Sequence, residues 1–383
     1  MPIQVTRPRL IVAVAFVLIA LALLLGVVAA PPPAEVGAAV RETGPPSGPS
    51  LLVSEFSDSR SQLWLIDPQD PSERDAFLTV DHAPGWALSG AVSPDGATLA
   101  YVVLRPGRRD AETEASLWRS DGSAPVLLVD GVDLGGGVVW SADGASILVR
   151  RTTVAVDGRR AFAVVEVDLA TGRAVTHAVE GDAAAVHVVG RAGDGSLLVE
   201  LTTRSGSRLS NLGDPEDKAR LLSNELTRDW RLSPDGAQLA FTEQAGLTMA
   251  VRVIALDPSL TSAGLPAMRA ATAVGQALLD EGSVGVGTAA PVWSPDGALS
   301  VGVFQTPVSS GDEIRVASAG LGRGFALPLV WSADGAHLAV RAFDGDGPGS
   351  STRESVGIVG SDGALVTLPG GHMQVLGWWN GAR

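Results

Sequence analysis

A four-residue mark recurs along the chain and restricts its fold more than any other feature. It reads Ser93-Pro94-Asp95-Gly96, Ser141-Ala142-Asp143-Gly144, Ser233-Pro234-Asp235-Gly236, Ser294-Pro295-Asp296-Gly297 and Ser332-Ala333-Asp334-Gly335. Ala192-Gly193-Asp194-Gly195 is a weaker copy, and Trp378-Trp379-Asn380-Gly381 is a terminal relic. Successive marks lie on average about 47 residues apart. Asp-Gly supplies the positive φ of a tight turn, and Pro presets φ for the residue entering it. The flanks are short apolar runs, such as ATLAYVVL after Gly96 and AQLAFT after Gly236. Each mark therefore predicts a hairpin between two strands. Two further strands follow in most units, as SLWRS and APVLLVD do after the first mark. Four strands in a repeat of this length are the signature of a propeller blade.

The ends of the chain suggest how such a ring closes. LLVSEF, QLWLID and DAFLTV give three strands with no mark before them, and MQVLGWWNG gives one strand with nothing after it. Together they make one blade shared by the two termini. With six further units, the expectation is an all-β propeller of seven four-stranded blades. Six blades is the alternative, if the Asp194 unit is not a true blade. The pattern Trp-Ser-x-Asp-Gly before an apolar strand resembles the WD-like repeat of TolB-type β-propellers, over roughly residues 51–383. That resemblance implies the fold and leaves the activity open, because propellers host unrelated functions.

Residues 10–30, LIVAVAFVLIALALLLGVVAA, form an uncharged apolar run of 21 residues. As a helix this run spans about 30 Å of hydrocarbon. Arg7 and Arg9 precede it and no basic residue follows until Arg41. The expected organisation is a cytoplasmic tail at 1–9, a transmembrane helix at 10–30, a Pro-rich spacer at 31–50 and an extracytoplasmic propeller at 51–383. A cleavable signal peptide is the competing reading, although its apolar stretch is usually shorter. The protein is expected to be a single-pass cell-membrane protein with its C-terminal domain outside the cytoplasm.

Composition narrows the function. The formal charge is −14, against the basic footprint of a nucleic-acid binder. The absence of Cys removes disulfides, thiolate zinc sites and thiol nucleophiles. No Gly-x-Ser-x-Gly elbow, HExxH, Rossmann glycine pattern or P-loop lysine motif occurs. Asp344-Gly345-Asp346-Gly347 resembles the start of a calcium loop, but Pro348 falls where the third ligand belongs. Neither a cofactor nor a metal site is expected.

The expected role is a non-catalytic module that binds a protein or peptide. A propeller lyase or hydrolase acting at the central channel is the alternative, as is a sensor or cargo module of an envelope complex. The mark turns are short and uniform, whereas the second-to-third strand loops vary, which points to the loop-rich face. Arg159, Arg160, Arg204 and Arg208 fall on such loops and are candidates for a polarised rim, beside Arg105, Arg108 and Arg109. Trp86 fits no repeat position and is a candidate for exposure. His82 and His372 enter adjacent blades from the same face and complete the partner-binding set. The repeated Trp140, Trp293 and Trp331 read as packing between blades. Residues 257–287 read as an outer strand with a long connection, or as an inserted helix for a partner.

Overall fold

Antiparallel strands account for nearly all of the secondary structure in the computed structural model. It describes residues 48–181, 183–212, 219–245, 248–256, 272–273, 286–305, 325–344, 353–370 and 373–381. The strands form six four-stranded sheets. Each takes its strands in chain order from an inner to an outer edge, except the first, whose inner strand comes from the C-terminus. The first blade pairs Met373–Trp379 with Ser50–Ser57, followed by Arg60–Ile66 and Arg74–Asp81. The second spans residues 89–132, the third 139–178, the fourth 185–223, the fifth 226–273 and the sixth 325–367. A two-stranded sheet, Val286–Trp293 with Leu299–Gln305, follows the fifth blade in sequence.

The terminal strands close the ring as expected: Ser50 pairs Trp379 and Glu55 pairs Met373, with one register shift between Leu52 and Val53. The blade count differs from the preferred seven, because six are four-stranded among the described residues. The weak Asp194 unit is not the exception. Its strands Ala185–Arg191, Leu197–Thr203, Gly206–Asn211 and Arg220–Ser223 make a full sheet. The unit after Ser294 contributes its hairpin to the described residues, and residues 306–324 after it lie outside them. The expected outer strand after the fifth blade's third strand is present as Thr272–Ala273, and the rest of the 257–287 segment lies outside the described residues. So does the proposed anchor at 10–30; among the described residues no helix is long and apolar enough to cross a membrane.

Both faces of each blade are packed, which explains why the second strands read as unbroken apolar runs. All five residues of Leu99–Val103 are buried. The core lies in layers between successive blades. Leu52, Leu63, Leu99 and Tyr101 fill the first-to-second interface. Ala100, Val102, Ile147 and Val149 contribute to the second-to-third. Leu148, Val164, Val186 and Leu201 do so for the third-to-fourth.

The marks form the hairpins that their chemistry predicts. In the Ser141 mark, Ser141 Oγ donates to Asp143 Oδ1 at 2.6 Å. The same carboxylate oxygen accepts from Ala145 N–H at 3.0 Å, and Ser141 Oγ accepts from Ser146 N–H at 2.9 Å. The Ser233 and Ser332 marks repeat this set. Gly144 has φ 70°, a conformation that a side chain would strain. The hydrogen bond from Ser141, joined by that from Ala145, holds the Asp143 carboxyl below its usual 3.8. Asp95, Asp235, Asp296 and Asp334 are lowered in the same way by their own serines.

A carboxyl lowered on folding contributes stability above its unfolded pKa, and that contribution is lost as pH falls through the folded value. The marks therefore weaken together only below about pH 3.8. Ser141→Ala is expected to cost about 1–2 kcal/mol at pH 7 and to shrink the acid-dependent part of the stability. Urea unfolding of the two proteins at neutral and acid pH checks this, and a cost below about 0.3 kcal/mol would contradict it.

The repeated tryptophans tie blade to blade, as their repeat-equivalent positions suggest. Trp140 Nε1 donates to the Ala91 carbonyl of the preceding blade at 3.0 Å. Trp293 does so to Arg231 at 3.0 Å and Trp378 to Val330 at 3.1 Å. Trp331 Nε1 reaches Ser300 Oγ at 3.2 Å, so the two-stranded hairpin is held on both sides.

Candidate ligand-binding site

The mark turns share one face of the ring. The opposite face carries the second-to-third strand loops and the connections between blades. These are bonded to one another: Ala83 N–H donates to the Leu104 carbonyl at 2.8 Å, and Leu134 N–H to that of Ala111 at 2.8 Å.

The arginines expected to form a free rim on that face are largely committed. Arg159 pairs with Asp157 at 2.6 Å and Arg160 with Glu112 of the neighbouring blade at 2.9 Å. Arg105 pairs with Asp130 and Arg108 with Glu114. Arg204 is exposed in a tight turn, whereas Arg208 is half-buried inside the strand Gly206–Asn211 rather than in a loop. His82 is only 1 % exposed. Its Nε2 bonds Ser61 Oγ and its Nδ1 the Ala83 carbonyl, both at 3.1 Å, and Phe56 stacks on the ring at 5.4 Å. It packs the loop and is not available to a partner. His372 lies outside the described residues. Trp86 is 43 % exposed, as its unrepeated position suggests.

Other ionisable clusters bridge blades. Glu166 accepts from Arg191 Nε at 2.9 Å, Arg191 Nη2 at 2.5 Å and Ser146 at 3.2 Å, with His177 Nε2 at 3.1 Å. Arg191 is the main cause of its lowered pKa. Arg150 is held by Asp133 at 2.9 Å and by the Val186 carbonyl at 2.6 Å. Among the described residues no group of three His, Asp or Glu could hold a metal ion.

The inner strands of the blades enclose a central channel. It holds a cavity of about 740 Å³, walled by the inner strands of all six blades and of the two-stranded hairpin. Pro94, Ala142, Pro234, Pro295 and Ala333 bring the wall to the face of the marks. The rest is mostly Val, Leu, Gly and Trp. Arg191 and Arg231 are the charged lining residues among those described, and no carboxylate lines it. Arg191 is neutralised by Glu166. Arg231 has no acidic group within ion-pair distance among the described residues.

Sequence reasoning missed Arg231, although the repeat carries its signal. The position two before the mark is Ala91, Val139, Gly190, Val292 and Val330 in the other units. All five line the channel, and Arg231 alone puts a charge there.

No family model matches the chain, and no curated protein matches it. Among solved structures, the β-propeller domain of the Trilobed protease from Pyrococcus furiosus has 9% identity and a TM-score of 0.50. The match covers 84% of this chain and 99% of that one. TolB from Acinetobacter baumannii has 15% identity and a TM-score of 0.49, over 88% of this chain and 67% of that chain. A puromycin-hydrolyzing peptidase from Mycobacterium tuberculosis has 14% identity and a TM-score of 0.48, over 83% of this chain and 53% of that one. The chain thus spans about half the length of that peptidase. At these identities the match to the Pyrococcus furiosus domain shows a β-propeller fold and nothing of activity.

Proposed function

We propose that the chain is a membrane-anchored, extracytoplasmic and non-catalytic propeller that binds a protein partner on its loop-rich face. The observation that carries this reading is which face bears exposed large apolar side chains among the described residues. Phe56, Trp86, Val154, Val156 and Leu226 are 46, 43, 51, 110 and 59 % exposed, and all sit at that face. The remaining four, Val126, Leu127, Val175 and Val366, lie on outer strands. Exposed apolar side chains on a face that also carries paired charges suit a protein interface. The Arg set then contributes orientation at the rim more than affinity, because its charges are largely compensated.

Crosslinking in intact membranes, with and without the pair Trp86→Ser and Val156→Ser, tests the reading. Recovery of the crosslinked partner should fall at least tenfold with the pair. Unchanged recovery would discard the face. The topology is checked separately: protease should digest residues 51–383 in intact spheroplasts, and protection until lysis would overturn the orientation.

A further inference from the structure

The charge in the channel belongs to a constructed feature. The inner strand Leu226–Leu232 carries a bulge between Arg228 and Arg231, where Asp229 adopts φ 57°. The inner strand of the following hairpin carries another, where Ala290 adopts φ 53°. These are the two non-glycine residues with positive φ among those described. One hydroxyl locks both. Thr242 Oγ1, on a fully buried side chain, donates to Asp229 Oδ2 at 3.1 Å and accepts from Ala290 N–H at 3.1 Å. Left-handed backbone at Asp and Ala costs about 1 kcal/mol each and persists only where neighbours hold it. Bulges of this kind re-aim the side chains beside them.

Arg231 stands directly after the first bulge and lines the cavity. Its side chain is exposed to the lumen, with Nη1 donating to the Trp230 carbonyl at 3.0 Å. Desolvation lowers its pKa, and Asp229 opposes this, yet a guanidinium stays charged. A lumen-facing cation with no ion-pair partner among the described residues favours an anion that can reach it. One guanidinium uncompensated among the described lining residues suits one carboxylate, whereas phosphate sites usually gather several donors. The walls around it are apolar and aromatic. The prolines at the mouth fix φ, so the site is preformed and little entropy is lost on filling it. The cavity volume lies within the range of about 300–1,000 Å³ used by small molecules.

We infer that the channel mouth on the mark face binds a small amphiphilic carboxylate, its head on Arg231 and its apolar body against the Val, Leu and Trp wall. The site is independent of the partner surface proposed above, on the opposite face.

The probe is 11-bromoundecanoate, used below its micellar concentration with the folded full-length protein. Its bromine quenches the tryptophans that line the channel. Quenching should saturate, and the neutral 11-bromoundecanol should bind at least tenfold more weakly. Arg231→Gln should abolish that preference by weakening the carboxylate alone, and Arg231→Lys should keep part of it. If Arg231→Gln does not fold, raising salt from about 0.02 M to about 0.5 M on the native protein should shrink the preference, because screening acts on the charge. Non-saturating quenching, equal binding of acid and alcohol, or a preference that survives both Arg231→Gln and high salt would each overturn the assignment. Crosslinking to a partner through Trp86 would be untouched by any of these results.

Discussion

Deleting residues 373–383 is expected to abolish the cooperative unfolding transition of the propeller. That segment is the inner strand of the first blade, and Ser50–Ser57 has it as one of its two partners. Met373, Leu376, Trp378 and Trp379 are each 4 % exposed or less. Trp379 packs edge-on against Phe77 at 4.7 Å, and Trp378 is hydrogen-bonded to the sixth blade. Removing one buried Trp side chain typically costs about 3–5 kcal/mol, and a whole domain is usually stable by only about 5–15 kcal/mol. Losing two tryptophans with Leu376 and Met373 therefore consumes most of that stability. It also opens an apolar strand edge at Leu51, Leu52 and Val53, which invites association. Circular dichroism during heating is the measurement. An unchanged midpoint and slope for the truncated chain would show that the shared blade does not hold the ring together. Trp379→Ala alone should cost about 3–5 kcal/mol with the transition still cooperative.

The second large effect concerns a buried acid. Glu200 lies in the second strand of the fourth blade and is fully buried. Thr202 Oγ1 lies 3.1 Å from each carboxyl oxygen, and Ser207 also hydrogen-bonds to it. Among the described residues no cation is within ion-pair distance of it. Burial pushes its pKa from 4.5 up to about 7, with the hydroxyls offsetting part of the shift. The folded chain thus binds this proton more tightly than the unfolded chain does. The contribution is fully present below about pH 4.5, falls as pH rises, and is gone above about pH 7. A shift of this size corresponds to about 3 kcal/mol. Glu200→Gln keeps the shape and removes the titration. At pH 8 it should be more stable than the parent by about 2–3 kcal/mol, and at pH 5 within about 1 kcal/mol of it. Urea titrations at the two values test this. Parallel stability–pH curves for the two proteins would exclude Glu200 as the titrating group. The effect runs opposite to that of the mark aspartates, whose contribution is lost only in acid.

What the sequence alone determined is what short stretches of chain decide among themselves. A mark closes its own hairpin through Ser, Asp and Gly, so five marks and the weaker copy at Asp194 could be read as turns without any tertiary information. The shared blade was legible for a related reason: unpaired strands at both ends of a repeat array have each other as the natural partners. The interblade role of Trp140 and Trp293 followed from their repeat position. Tertiary structure decided the rest. Arg160 finds Glu112 only because the ring sets neighbouring loops side by side, and His82 is covered because Phe56 folds over it. The Ser294 mark closes its own hairpin, and residues 306–324 beyond it lie outside the described residues. Arg231 breaks an apolar repeat position in plain view. Its meaning appears only when inner strands from every sheet converge on one channel, where a side chain's environment is set by residues tens to hundreds of positions away. Turn chemistry is local and survives in any context, whereas burial, ion pairing and cavity shape are properties of the closed ring.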